Sequence, residues 1–217
     1  MDEPILALEG ALDAFSVALL RGGDVSATSL SHQAALEDGL RLVRELLDAA
    51  TLRLEDLGGI AVGTGPGGFT GLRITIAFAK SLAFGAKLPL VGVSSFDILD
   101  VAAEAELRVP RLTVVCGRPG IACMRRTEPA RMQVACGPTT ATLARVTTEG
   151  EEIAIIGATE DVQSAALERG LSVHFIPVGT ELKAATLARI ARMRPAAASV
   201  HEVAPDYGEQ PAVKTQS

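Results

Sequence analysis

Gly63-Thr64-Gly65-Pro66-Gly67-Gly68-Phe69-Thr70-Gly71-Leu72-Arg73 is the stretch that decides how this chain folds. The apolar run Gly59-Ile60-Ala61-Val62 stops at its start, and a long, almost uncharged segment of helical character begins at its end. A buried strand turning into a helix is the expectation. Glycines around one proline allow backbone angles that a side chain forbids, and they let another backbone or an anion approach the main chain closely. Thr70 stands where an N-cap oxygen meets the unpaired amides of a first helical turn.

Two generic readings of the loop fail on its own residues. A phosphate-cradling P-loop needs Lys and then Ser or Thr after its last glycine, whereas Phe69 follows Gly68. Gly63, Gly65 and Gly68 satisfy the spacing of a dinucleotide fingerprint, yet residues 89–94, where the next strand ends, offer no carboxylate to a ribose.

Downstream of the loop, the helix expected over residues 70–85 has Arg73 and Lys80 as its only charges, so most of its sides are covered. Gly71, Thr75, Ala79 and Ala83 recur at four-residue steps and form a small-residue stripe along which another helix can approach closely. Upstream, Leu36, Leu40, Val43 and Leu47 recur at steps of four and three over residues 32–50, with Glu37, Asp38, Arg41, Arg44, Glu45 and Asp48 largely elsewhere, which predicts an amphipathic helix. Glu37 with Arg41, and Arg44 with Asp48, are spaced to pair along it. On the residues alone, the stripe packs within the chain; the alternative is a surface shared with another subunit.

Apolar runs at 5–8, 15–20 and 25–30 precede that helix and predict a three-strand meander, with Gly22-Gly23 supplying the positive φ of a tight hairpin. Residues 88–93 read as a further strand, with Ser94 capping a helix that runs to about residue 107. A boundary is expected there, giving an N-terminal half at 1–107 and a smaller half at 108–217. In the second half, strands are predicted at 112–115, 121–126, 132–135, 152–156 and 172–176, and helices at 139–145, 161–168 and 182–193. The tail from Pro205 is polar and reads as partly mobile. Periodicity therefore supports a two-part α/β protein.

Composition narrows the function. The 217 residues include no Trp, one Tyr and six Phe, so the core is built from aliphatic residues and much Ala, which favours closely approaching helices. A net charge of −6 gives no global attraction to phosphate and argues against a basic nucleic-acid-binding domain. Cys116, Cys123 and Cys136 are odd in number, lie in separate apolar stretches and lack CxxC spacing, which suits reduced buried thiols better than disulfides or a zinc site. Met1-Asp2-Glu3-Pro4 opens no signal-peptide pattern and no apolar run is long enough to span a bilayer, so a cytoplasmic protein without a membrane partner is expected.

The string from Gly65 to Arg73 resembles the GPGxFTGLR signature of the TsaB (YeaZ) family, the non-catalytic partner in bacterial tRNA threonylcarbamoyladenosine synthesis. Ile5-Leu6-Ala7-Leu8, Ser16-Val17-Ala18-Leu19 and Leu90-Val91-Gly92-Val93-Ser94-Ser95 stand in the family's order and spacing, and Pro205-Asp206-Tyr207 resembles its closing segment. The resemblance covers roughly the first hundred residues well and the remainder loosely. It implies an actin/hexokinase-like (ASKHA) fold of two α/β halves, the second small and diverged. It also implies a dimerisation subunit that pairs with the catalytic transferase TsaD, with the ATPase TsaE acting through the complex, a homodimer when alone, and tRNA reached only through the complex. Under that resemblance Leu36, Leu40, Val43, Leu47, Gly71, Thr75, Ala79 and Ala83 become the partner interface, and Gly65, Pro66, Gly67, Gly68, Phe69, Thr70, Gly71, Leu72 and Arg73 the signature loop.

Residues for chemistry are not found where the fold's enzymes keep them. The turn after the first strand reads Glu9-Gly10-Ala11-Leu12-Asp13, with no hydroxyl, so Glu9 and Gly10 are at most a vestige of a nucleotide site and Glu9 reads as an acid facing solvent at a strand end. The catalytic paralogue's metal-binding His-x-x-x-His is matched by residues 94–100, which contain no His. His32 and His201 read as solvated, and His174, inside an apolar strand, as a satisfied core residue. No G-x-S-x-G elbow is present, so old peptidase labels find no nucleophile. Where the family carries Asp-Ala-Arg, this chain has Cys116-Gly117-Arg118-Pro119-Gly120 and keeps only the Arg. No catalytic residue, metal or cofactor is expected. The competing readings are a phosphotransferase of the same fold using Glu9 and the loop, and a diverged stand-alone homodimer.

Overall fold

The structure is a computed structural model that describes residues 3–12, 14–103 and 109–208. The chain opens as the expected meander: β1 (Ile5–Glu9) pairs antiparallel with β2 (Phe15–Arg21), and β2 with β3 (Asp24–Leu30) through a turn in which Gly22 has φ +61°. Helix α1 (His32–Ala49) follows, with Ser31 accepting the Ala34 amide as its N-cap. On its surface Arg41 bridges Asp38 and Glu45, and Arg44 faces Asp48 at 3.6 Å.

A short 3₁₀ turn leads into β4 (Gly59–Gly65), α2 (Phe69–Ala86), β5 (Leu90–Ser94) and α3 (Ser95–Ala102). β4 lies parallel to both β1 and β5, so the first sheet has the order β3-β2-β1-β4-β5. The second repeats the plan: β6 (Arg111–Arg118), β7 (Ile121–Glu128) and β8 (Arg131–Pro138) form a meander, followed by α4 (Thr139–Val146), β9 (Glu152–Ile156), α5 (Glu160–Glu168) and β10 (Ser172–Ile176), in the order β10-β9-β6-β7-β8. The boundary expected at residue 107 lies outside the described residues.

The last helix, α6 (Lys183–Arg192), belongs to the second half in sequence but packs on the first sheet. Strand alternation explains how that sheet serves both faces. Leu6 and Leu8 point toward α1 and α2, joining Leu42, Val43, Leu47, Leu72 and Ile76, while Ala7 between them points toward α6. On the α6 side Ala7, Ala18 and Ala61 meet Ala184, Ala185, Ala188 and Ala191, so helix and sheet approach closely through methyl groups. This face accounts for part of the Ala-rich, aromatic-poor composition.

Helix α3 joins the halves. Ile98 packs with the first sheet's α6 layer, whereas Phe96 and Leu99 pack with Val115, Cys123 and Ile156 of the second sheet. The other side of the second sheet is closed by α4 and α5 through Leu143, Val146, Val162 and Ala166.

Candidate functional site

The signature loop runs from the end of β4 into α2 and is held from three sides by the chain itself. Gly68 donates its amide to the Ala11 carbonyl at 2.7 Å, and the same carbonyl occupies the space a side chain on Gly67 would need. The Gly65 carbonyl accepts the Ser94 hydroxyl at 3.3 Å; Gly65 itself has φ +93°, a left-handed conformation suited to glycine. From the second half, Gly117 backs onto the Gly67 carbonyl, which is 2.8 Å from where a β-carbon on Gly117 would lie.

Because Gly68 is fixed to Ala11, helix α2 starts two residues earlier than a Thr70 cap would place it. Gly68 is the N-cap, without a side-chain bond, and its carbonyl accepts the Leu72 amide at 2.9 Å. Thr70 lies exposed in the first turn.

Glu9 also departs from expectation. It is completely buried, and its Oε1 accepts the amides of Ala11 at 2.7 Å and Leu12 at 3.2 Å. The turn's amides, which would otherwise suit an anion, are occupied by a carboxylate from the same turn. An acid at a strand end reads as solvent-facing from sequence, and backbone amides that would donate to it leave no sequence signal.

The small-residue stripe faces inward. Thr75, Ala79 and Ala83 are 0% exposed, and Gly71 and Leu72 are also buried. Val43 and Leu47 of α1 are likewise in the core, so these members of the expected interface are covered by the chain itself. The physical reason is the close contact of α2 with its own sheet: Thr75 bonds back to the Gly71 carbonyl at 2.7 Å and abuts Gly10. Leu40 remains 49% exposed, and the side chain of Leu36 lies outside the described residues.

The open face of α2 is the adjacent stripe Phe69, Arg73, Ala77, Ser81 and Phe84, at steps of four and three. Phe69 is 56% and Phe84 70% exposed, a large aromatic exposure for a chain with six Phe. The C-terminal strap borders this face. Ala197 donates to the Leu90 carbonyl and Asp206 to the Thr64 carbonyl, Val203 enters the core, Tyr207 lies 5.1 Å from Phe69 between ring centroids, and Arg73 covers the Phe69 ring at 4.8 Å. The tail is thus docked as far as Gly208, and residues 209–217 lie outside the described residues. Two phenylalanines fifteen apart on a helix with only Arg73 and Lys80 charged are the sequence signal for this face, which the small-residue period obscures.

A cleft of about 660 Å³ lies between the halves, lined by Leu12, Ser16, Cys116, Thr159, Glu181 and Lys183 among others. Lys183 Nζ donates to the carbonyls of Gly179 at 2.8 Å and Glu181 at 3.1 Å. Burial pushes the Cys116 thiol up, opposed by its contact with Thr159, so it is a poor nucleophile.

The structure corrects two further expectations. Cys123 and Cys136, expected as separate thiols, stand directly opposite each other in β7 and β8 and form a disulfide, leaving Cys116 free. Thirteen residues of separation conceal a pairing that antiparallel register creates. His174 is exposed on β10, with Nε2 2.8 Å from Glu152 Oε1, because it points away from the core face of an edge strand. His201 is exposed near Phe84, and the side chain of His32 lies outside the described residues.

Sequence reasoning missed a charged cluster on α3. Arg125 of β7 bonds Asp97 at 2.5 Å and Asp100 at 2.7 Å, Arg111 bonds Asp100 at 2.8 Å, and Arg194 after α6 bonds Asp97 at 2.8 Å. Burial would raise the Asp97 carboxyl, but Arg125 and Arg194 outweigh it and hold it below the ordinary carboxylate value. The two acids' three-residue spacing placed them on one helix face; their partners come from distant segments.

Two repeated α/β layers with a helix between them define an actin/hexokinase-like fold. A *Bacteroides thetaiotaomicron* protein described as having an actin-like ATPase fold and unknown function aligns over 87% of this chain and 96% of its own, with a TM-score of 0.54 at 9% identity. The chain belongs to the family described as TsaD, tRNA N6-adenosine threonylcarbamoyltransferase, whose sequence model matches residues 27–215; its relatives include TsaB/YeaZ proteins and also proteins named tRNA N6-adenosine threonylcarbamoyltransferase, such as one from Trichlorobacter lovleyi, 36% identical over 131 residues. The *Escherichia coli* K12 tRNA threonylcarbamoyladenosine biosynthesis protein TsaB is 42% identical over 92 residues, covering 42% of this chain and 40% of that protein. YeaZ from *Pseudomonas aeruginosa* superposes with a TM-score of 0.68 at 26% identity, covering 94% of this chain and 99% of its own. The matches to the first curated TsaB relatives span 40% to 55% of those proteins' lengths.

Proposed function

We propose that this chain is a non-catalytic dimerisation subunit for tRNA N6-threonylcarbamoyladenosine formation, pairing with a catalytic TsaD-type transferase. The observation that carries this reading is the closed signature loop: Gly68 and Gly65 spend their polar groups on Ala11 and Ser94, and Glu9 fills the amides of the neighbouring turn. A loop satisfied in this way supports the start of α2 and offers no ready phosphate cradle. The partner surface is the open face of α2, Phe69 to Phe84, and the exposed Leu40 of α1 is a further contact. An aromatic-bearing face with few charges suits a helix-to-helix interface.

In this reading residues 1–107 are the partner-binding half and 108–217 the supporting half, with α6 reaching back beneath the first sheet. The chain pairs with itself when alone, TsaE acts through the complex, tRNA is met only there, and the assembly is cytoplasmic. Among the described residues no helix is long and apolar enough to cross a membrane.

The test is the solution mass of the chain alone and after mixing with the TsaD-type paralogue from the same cell. A dimer that exchanges into a heterodimer is expected. A monomer indifferent to that paralogue would overturn the reading, and stabilisation by ATP that is lost in Glu9→Ala would turn it toward a phosphotransferase.

A further inference from the structure

The Cys123–Cys136 disulfide lies beneath the end of the C-terminal strap. A β-carbon on Gly208 would have no room, because the sulfurs of Cys123 and Cys136 stand in its place and Pro66 Cβ is 3.3 Å from the same point. The strap end is therefore seated on the sulfur pair and beside the signature loop. One residue earlier, Tyr207 lies against Phe69, the first residue of α2.

We propose that Cys123 and Cys136 form a redox switch that sets whether the strap docks on the start of α2. Bonded sulfurs are about 2 Å apart, and two thiols must separate to van der Waals contact. With β7 and β8 holding both α-carbons, that added volume goes toward Gly208, and the strap lifts with Tyr207. The switch regulates the face assigned above to partner binding, and to that extent rests on that reading.

The chemistry is thiol–disulfide exchange with a dithiol reductant. Cys123 is buried and Cys136 is more open, so a reductant thiolate attacks Cys136 Sγ, the Cys123–Cys136 bond breaks, and Cys123 leaves as a thiolate. The reductant's second thiol then displaces Cys136, also as a thiolate. Two electrons pass to the protein, both thiolates take up protons, and the reductant becomes a disulfide. In a reducing compartment the pair rests as thiols and responds to oxidant.

Tyr207 is the only tyrosine and the chain has no tryptophan, so its fluorescence reports the strap directly. The full chain is oxidised with oxidised glutathione or reduced with dithiothreitol. Thiols are then counted in denaturant, and acrylamide quenching of Tyr207 is measured under native conditions. The expected result is one thiol when oxidised and three when reduced, with a quenching constant that rises about twofold on reduction as the strap opens. Cys136→Ser should abolish the response to reductant, and Cys116→Ser should leave it intact. Three thiols after oxidation, or a disulfide whose reduction leaves Tyr207 quenching unchanged, would overturn the switch. Because these readings use the chain alone, failure to bind the transferase in either redox state would count against the partner assignment and not against the switch.

Discussion

Gly10 and Thr75 are packed so closely that the Thr75 hydroxyl stands where a β-carbon on Gly10 would have to be. The β1–β2 turn and the signature helix are thereby held as one unit. Gly10→Ala should cost roughly 1–3 kcal/mol by overpacking. Adding Thr75→Ala removes the obstructing hydroxyl, so the double variant should be more stable than the sum of the single losses predicts in urea unfolding. Strict additivity would show that the contact does not constrain the turn.

The buried Glu9 carboxylate and the Ala11 amide make the turn sensitive to a second change. Glu9→Ala leaves buried amides without their acceptor and should destabilise the chain by about 1–3 kcal/mol, while Glu9→Gln, which keeps one oxygen, should lose less. Equal midpoints for wild type and Glu9→Ala in urea would contradict the geometry.

On α2, two substitutions should separate folding from association. Phe84→Asp, at a 70% exposed position, should change monomer stability by no more than about 0.5 kcal/mol, yet weaken the complex in sedimentation measurements. Thr75→Arg forces a charge into a fully buried position and should unfold the chain. An intact complex with Phe84→Asp would remove the open face of α2 from the proposed interface.

Acid should loosen the junction between the halves. The depressed Asp97 carboxyl contributes stability that is present above its unfolded value, about 3.9, and is lost as pH falls through the lower folded value. Urea midpoints should therefore fall below about pH 4, and less steeply in Asp97→Asn. Glu151, where burial is outweighed by Arg126 and the Thr148 amide, titrates in the same sense and should keep part of the slope in that variant. Arg125→Met, which removes the group joining Asp97 to Asp100 but leaves Arg194 on Asp97 and Arg111 on Asp100, should cost about 1–3 kcal/mol at neutral pH. An identical acid slope in wild type and Asp97→Asn would deny Asp97 its role.

The elements themselves were legible because their signals are local. Short apolar runs placed β1, β2 and β9, four-and-three spacing placed α1, and Gly22-Gly23 placed the hairpin, each within a residue or two of the structure. The signature string identified the strand-to-helix turn and the family. What was misread depended on direction: the period of Gly71, Thr75, Ala79 and Ala83 was found, but a period does not say which side of a helix meets the sheet.

The sequence by itself determined the order of strands and helices, the special loop and the family, since propensity, periodicity and glycine placement act over a few neighbouring residues. Only the tertiary structure decided that the small stripe of α2 faces inward and Phe84 outward, that Glu9 turns onto its own amides, that Cys123 meets Cys136, and that Asp97 and Asp100 meet Arg125. Each of these is set by how the chain's own segments pack in space, through sheet register, the choice of packing face and close approach between distant segments, and residue spacing along one chain does not carry that information.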